Sequence, residues 1–101
     1  MSLKFSIDSR ANRHIREAAQ WWTRNRTKAP TAFVEELEAA FALIEELPYA
    51  GEPVSHSRIS GLRRVLLGRV QYHLYYVLSE DGEAIEILAL WHASRGKGPR
   101  L

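Results

Sequence analysis

The chain has 101 residues, 46% of them hydrophobic and 26% charged, a composition that supports one domain with a two-layer core and argues against intrinsic disorder. It contains no cysteine, which excludes disulfides, thiolate metal sites and cysteine nucleophiles. The net charge is +2, but seven Lys/Arg and two acids fall in residues 1–30, one Arg and six Glu in residues 31–60, and six Lys/Arg and four acids in residues 61–101.

This uneven charge has two interpretations. Either the acidic and basic segments are solvated faces of opposite sign, or the basic segments meet an acidic partner. The N-terminus lacks the apolar core of a signal peptide, and no apolar run approaches the roughly 20 residues of a membrane span. We therefore expect a cytoplasmic protein that does not contact a membrane.

The first half of the chain predicts one strand and two helices. Residues 3–8 alternate between apolar and polar, as a half-buried strand does, and Asp8 or Ser9 can cap the helix that follows. Pro30 suits the first turn of a second helix, which Pro48 ends. The apolar stripes of the two helices are Ala11, Ile15, Ala18 and Trp22 in the first and Phe33, Leu37, Ala40, Ile44 and Leu47 in the second. The short link between them predicts a helical hairpin, with the tryptophan of the first stripe in its seam.

The second half predicts a loop and three antiparallel strands. The loop covers residues 49–60, and the strands follow at Leu62–Leu67, Val70–Leu78 and Ala84–Trp91, with Asp81-Gly82 supplying the positive φ of the last turn. In the middle strand, one face is predicted to carry Val70, Tyr72, Leu74, Tyr76 and Leu78, and the other Gln71, His73 and Tyr75. In the last strand, Ile85, Ile87, Ala89 and Trp91 are predicted to oppose Glu86, Leu88, Leu90 and His92. Apolar residues on both faces of that strand predict an interior position in the sheet.

The predicted element order is β-α-α-β-β-β in one domain over residues 1–101. It indicates the α+β class, with a helical hairpin packed on one face of a mainly antiparallel four-stranded sheet whose other face is partly polar. Residues 96–101 hold two glycines and a proline, cannot form a regular helix and are expected to be extended or mobile.

Motifs that carry catalysis on their own are absent from the sequence. It has no Gly-rich phosphate loop, no His-Glu-x-x-His and no nucleophile elbow, and its four histidines lack the spacing of metal ligands. We expect neither a metal nor a cofactor. The remaining candidates are cationic or aromatic residues of the strands and the tail: Arg63, Arg64, Arg69, His73, Tyr75, His92, Arg95, Lys97 and Arg100. Such residues can stabilise phosphates and transfer protons in RNA cleavage, dock an acidic protein surface, or simply be solvated.

Four segments have the order and spacing of a known family. They are Leu47–Pro53, similar to L-P-x-x-G-x-P; Gly61–Arg64, similar to G-x-R; Tyr72–Val77, similar to Y-R-x-x-Y-x-V; and Glu86–Arg95, similar to E-I-L-x-V-x-H-x-x-R. Together they resemble the RelE/ParE superfamily of type II toxin–antitoxin toxins. The resemblance covers almost the whole chain and implies the fold of that superfamily.

The superfamily has two branches, and the resemblance favours the ParE-like branch. RelE-like toxins cleave mRNA on the ribosome with basic residues of the sheet and often a C-terminal tyrosine or histidine, whereas ParE-like toxins are associated with poisoning DNA gyrase. Here His73 stands where the nuclease branch commonly has arginine, and no tyrosine follows Arg95, although His92 and Arg95 remain. The resemblance thus implies a toxin that acts by binding. The alternatives left open are an mRNA interferase, in which His73, His92 and Arg95 are acid–base and phosphate-stabilising groups, and an inactive member.

The resemblance also implies partners. A cognate antitoxin, ParD-like or related, would neutralise the toxin in a hetero-oligomer by helix-in-groove and strand-addition contacts. DNA gyrase is the expected target, and the ribosome and its mRNA are the targets in the alternative. The residues predicted to contact antitoxin or target are Arg63, Arg64, Arg69, Arg95 and Lys97. Trp21 flanks the first helix's stripe and is expected to be half-buried or to lie at an interface.

Overall fold

The computed structural model describes residues 4–101, which confirm the predicted α+β class and add one strand. In chain order the elements are β1 (Lys4–Ile7), α1 (Ser9–Asn25), α2 (Ala32–Glu46), β2 (Glu52–Pro53), β3 (Leu62–Leu67), β4 (Tyr72–Leu78) and β5 (Ala84–His92). The predicted first strand began at Leu3, which lies outside the described residues. Neither helix of the described chain is long and apolar enough to cross a membrane.

Local polar contacts define the ends of the helical hairpin. The Asp8 carboxylate accepts a hydrogen bond from the Arg10 amide at 3.0 Å, which caps the first turn of α1. The indole of Trp22 donates to the carbonyl of Ala29 at 2.7 Å and so ties α1 to the link that leads to α2. The second helix starts two residues after Pro30, so the prediction of its first turn was wrong. The amide of Ala32 instead donates to the Ala29 carbonyl, which closes a turn before the helix begins.

The sheet has five strands in the order β1-β5-β4-β3-β2. β1 pairs with β5 in parallel, and the remaining pairs are antiparallel. β5 lies between β1 and β4, as its apolar faces predicted. The sequence predicted four strands because β2 has only two residues, too few for any periodicity to mark.

A buried tyrosine hydroxyl determines where the chain enters β2. Tyr76 is completely buried, and its hydroxyl donates to the Pro48 carbonyl at 2.7 Å and accepts from the Gly51 amide at 2.9 Å. A buried hydroxyl without partners would be costly, so these two bonds favour one path for the link after α2. That path places Glu52–Pro53 beside β3.

A β-bulge in β5 overturns the predicted faces of that strand. Tyr76 pairs with Ile87, but Tyr75 pairs with Ala89, so Leu88 is an extra residue on β5. An extra residue reverses the alternation of all side chains beyond it. Ile85 and Ile87 belong to the helix-side core, whereas Ala89 and Trp91, predicted on their face, belong to the opposite cluster. Leu90 and His92 turn towards the helices instead.

Apolar residues pack on both faces of the sheet, and the second face also carries polar side chains, as predicted. The helix-side core combines residues of both helices with β4 and β5 and includes Ala11, Phe33, Ile44, Leu74, Tyr76, Ile85 and Ile87. The second cluster is Leu62, Tyr75 and Ala89, covered by the loop residues Val54 and Ile59 and by Leu101. Residues 96–101 were expected to be extended or mobile. The end of the chain is extended, and it packs against the sheet.

Candidate functional site

A cleft runs between α1 and the adjoining ends of β4 and β5. Tyr72 opens β4, His92 closes β5, and the register places the two directly opposite each other. Their rings meet edge to face with centroids 5.0 Å apart, and the Tyr72 ring also packs on Phe33 of α2. With Trp21 and Arg95 they line two adjoining cavities of about 210 and 470 Å³. We call this region the α1 cleft.

Two arginines lie against aromatic faces of the α1 cleft. The guanidinium carbon of Arg95 is 4.5 Å from the centroid of the Trp91 ring, and that of Arg26 is 5.1 Å from the centroid of Trp21. Cations at such distances are attracted by the ring quadrupole. Neither arginine forms an ion pair with any residue of 4–101. Their charges are therefore available to an anionic partner.

His14 forms the wall of the α1 cleft nearest the start of the helix. Its Nδ1 accepts a hydrogen bond from the Leu90 amide at 3.3 Å, and its ring meets Trp91 edge to face at 5.7 Å. β1 pairs with β5 only as far as Ile87, so His14 satisfies an amide that the sheet leaves free. Burial lowers the pKa of His14, and the nearby positive charge of Arg13 lowers it further.

The opposite face of the sheet carries a separate polar group. The Nε of Arg64 lies 2.6 Å from Oε1 of Glu52, and its Nη1 donates to the Tyr75 hydroxyl at 3.4 Å. The bond to Tyr75 and then the bond to Glu52 raise the pKa of Arg64. The ring of His73 lies 6.2 Å from that of Tyr75, and burial followed by the charge of Arg64 lowers the pKa of His73.

The C-terminal tail crosses this second face. The indole of Trp91 donates to the Lys97 carbonyl at 2.8 Å, and Leu101 packs against the cluster that contains Tyr75. A Cβ built on Gly98 would lie 3.3 Å from the Tyr75 hydroxyl, so the backbone passes close to that group. The tail therefore lies beside Arg64 and Tyr75, and the two side chains line one cavity together with Gly98, Pro99 and Leu101 of the tail.

The structure divides the three residues considered for RNA cleavage. His92 and Arg95 share the α1 cleft, where Nδ1 of His92 lies 2.6 Å from the Ser94 hydroxyl. His73 pairs with Trp91 and lies beyond the sheet, beside Tyr75. One substrate phosphate cannot be reached from both faces of a sheet, so these three residues do not form one acid–base site. Within residues 4–101, no three His, Asp or Glu side chains gather closely enough to hold a metal ion.

The five residues predicted to contact a partner do not form one patch either. Arg63 donates to the Tyr49 and Gly51 carbonyls in the link after α2, whereas Arg64 lies on the second face. Arg69 lies in the turn between β3 and β4, where its backbone and side chain contact two glutamates of α2. Arg95 lies in the α1 cleft and Lys97 in the tail that crosses the second face.

Tyr72 was not predicted to be a partner of His92. Counting back from the Asp81-Gly82 turn without a bulge would place Trp91 opposite Tyr72, and only the extra residue at Leu88 brings His92 there. Trp21 was expected at an interface or half-buried; the residue is 46% exposed and lines the α1 cleft. No sequence signal indicated that Arg26 would lie over the ring of Trp21.

Comparison with known proteins identifies one family. The model of the ParE toxin of type II toxin–antitoxin systems, parDE, matches residues 5–96. No curated protein matches the sequence. The match includes the α1 cleft, both helices and all five strands, except that it omits the first residue of β1.

Solved structures of toxin–antitoxin systems have a similar fold. A chain of the chromosomal ParDE system from P. aeruginosa is 15% identical with a TM-score of 0.69, and the match covers 91% of this chain and 97% of that one. For the RelBE2 complex of Mycobacterium tuberculosis the identity is 18%, the TM-score 0.64 and the coverage 91% and 99%. For isolated E. coli RelE the identity is 15%, the TM-score 0.57 and the coverage 94% and 88%. At these identities the likeness concerns the fold alone.

Proposed function

This chain belongs to the ParE toxin family of type II toxin–antitoxin systems, and on that premise we propose that it inhibits growth by binding and poisoning DNA gyrase. A cognate antitoxin, ParD-like or related, neutralises it in a hetero-oligomer. The toxin acts through contact with its target and needs no acid–base chemistry of its own.

One observation carries the choice of binding over catalysis. The candidate nuclease residues are separated by the sheet, with His73 on the second face and His92 in the α1 cleft. Acid–base catalysis needs both groups within hydrogen-bond reach of one substrate, directly or through one water. The separation supports a toxin whose surfaces bind rather than cleave.

Expression followed by pulse labelling tests the target. If gyrase is poisoned, incorporation of labelled thymidine falls first and labelled amino acids continue to be incorporated. Purified toxin added to gyrase and supercoiled plasmid should also yield linear DNA after denaturation of the enzyme. Early arrest of translation with intact DNA synthesis would contradict the proposal, as would a gyrase reaction that the toxin leaves unchanged.

The antitoxin is proposed to contact cations on both faces of the sheet with an acidic segment. Arg95 and Arg64 offer charge on the two faces of the sheet, so reversing both to Glu should weaken antitoxin binding through lost electrostatic complementarity. Calorimetry with the antitoxin encoded beside the toxin measures the effect, and Arg16→Glu with Arg24→Glu is the matched control on the exposed side of α1. Equal affinities of the two double variants would remove this contact from the proposal.

A ribosome-dependent mRNA interferase is the second candidate. The observation that favours it is the convergence of Tyr72, His92 and Arg95 in one cleft, because a phosphate there would meet a cation and two titratable rings. Under this alternative, expression cleaves transcripts before DNA synthesis changes, and His92→Ala abolishes the cleavage. Intact transcripts during growth arrest would exclude it.

A further inference from the structure

A second cleft, of about 440 Å³, lies where the C-terminal tail meets the first turns of α1. Its cations come from two distant segments of the chain. Arg10 and Arg13 belong to α1, and Lys97 and Arg100 belong to the tail. We call it the tail cleft.

Backbone contacts hold the tail in this position. Arg10 donates to the Arg100 carbonyl at 2.7 Å, and the Trp91 indole donates to the Lys97 carbonyl at 2.8 Å. The side chains of Arg13, Lys97 and Arg100 form no hydrogen bond or ion pair with any residue of 4–101. Three exposed cations therefore face the cleft without an internal partner.

The electrostatic surroundings of the tail cleft are positive. No lining residue has an acidic side chain, and the nearest acidic side chain along the chain, that of Asp8, caps α1. His14 forms part of the wall; burial lowers its pKa, and the charges of Arg13 and Arg10 lower it too, although Glu17 acts in the opposite direction. The cations thus add to the effect of burial on this histidine.

We propose that the tail cleft binds the phosphate backbone of DNA. Its walls consist of cations, two aromatic rings and a glycine, and they include no aliphatic side chain. A protein partner would need apolar contacts at the centre of the interface, whereas phosphates need only charged donors, which Arg and Lys supply. The choice of DNA rests on the proposed function, since gyrase works on duplex DNA. The assignment of a phosphate-binding site does not rest on that function.

Fluorescence anisotropy with a short labelled duplex, measured over a salt series, tests the proposal. The full chain should bind, and Arg13→Gln with Arg100→Gln should weaken binding about tenfold while reducing the slope of log K against log salt by about 2. These two side chains make no internal bonds, so circular dichroism should show an unchanged fold. Arg16→Gln with Arg24→Gln removes the same charge from exposed positions of α1 outside the tail cleft and should bind nearly as the wild type does.

Four results would overturn the proposal. They are absence of DNA binding at low salt, a double variant that binds like the wild type, an equal loss in the control, and displacement of the duplex by polyglutamate or by RNA as readily as by unlabelled DNA. Gyrase assays with the same variants separate this site from the proposed function. Poisoning that survives the loss of DNA binding leaves the gyrase proposal intact, whereas retained DNA binding without any effect on gyrase contradicts only the proposed function.

Discussion

At the scale of single residues, Gly51 shows how closely the link after α2 packs. A Cβ added there would lie 2.5 Å from the Tyr76 hydroxyl and 2.7 Å from its ring, both much closer than van der Waals contact allows. Because Tyr76 is completely buried and holds two hydrogen bonds, its ring cannot move away freely. Any larger residue at position 51 would therefore clash with Tyr76.

We expect Gly51→Ala to destabilise the protein by about 1–3 kcal/mol, the range for overpacking a well-packed core. Urea denaturation, monitored by tryptophan fluorescence, measures the free energy of unfolding. Gly68→Ala is the matched control, because a Cβ at Gly68 would meet no atom within 4 Å. Similar unfolding energies for the two variants would contradict this account of Gly51.

The two half-buried histidines predict a dependence of stability on pH. Burial lowers the pKa of both His14 and His73 below the ordinary value of 6.5. Just below pH 6.5 the unfolded chain therefore binds protons that the folded chain does not, so acidification favours unfolding. Their contribution is fully present above that value and is lost as the pH falls through the folded pKa values.

We expect the thermal midpoint to fall between about pH 7 and pH 5, above the range in which most carboxylates titrate. In the double variant His14→Gln with His73→Gln, the thermal midpoint should fall less, because neither side chain then titrates. Differential scanning calorimetry at closely spaced pH values measures it. An identical fall in wild type and variant would assign the dependence to other groups.

At the scale of elements, β5 and the tail depend on one another. The bulge at Leu88 turns Ala89 and Trp91 to the second face, where Trp91 holds the Lys97 carbonyl. The tail then covers the cluster around Tyr75. Without the extra residue, the alternation of β5 would continue, and Trp91 would face the helices.

We expect Leu101→Ser to cost about 1–2 kcal/mol, since a half-buried leucine loses its apolar contacts. Arg100→Ser, one residue away with an exposed side chain, should change the free energy of unfolding by less than about 0.5 kcal/mol. Urea denaturation gives both values, and amide exchange reports on the tail. Equal effects of the two substitutions would show that Leu101 contributes nothing by packing.

At the scale of the whole molecule, the sheet separates two surfaces that the sequence could not tell apart. His73 and Arg64 lie on the face that the tail crosses, and His92 and Arg95 lie in the α1 cleft. A shared catalytic role across the sheet is not available to them.

We expect His73→Ala and His92→Ala each to retain growth inhibition, because a toxin that acts by binding needs neither side chain for acid–base chemistry. Colony counts after induction, with transcripts mapped in parallel, measure the outcome. Immunoblotting controls for the level of each variant. Loss of toxicity in His92→Ala together with loss of transcript cleavage would instead identify a nuclease.

Features that depend on neighbouring residues along the chain could be predicted from the sequence alone. The patterns of apolar residues predicted both helices and four of the five strands, and the two apolar faces of β5 predicted its interior position. Gly82 has the positive φ that the Asp81-Gly82 pair predicted. These signals are local, so they can be recognised without knowledge of the fold. The family resemblance likewise rested on the order and spacing of four short motifs.

Which distant residues come into contact became known from the three-dimensional fold. The bulge that pairs Tyr72 with His92, the strand β2 held by the Tyr76 hydroxyl, and the tail that brings Arg100 to Arg10 all depend on contacts between distant segments. No periodicity in the sequence encodes such contacts, because each arises from how packed elements fit together. The candidate surfaces of this toxin therefore follow from its fold, whereas its family and its elements could be predicted from the order of its residues.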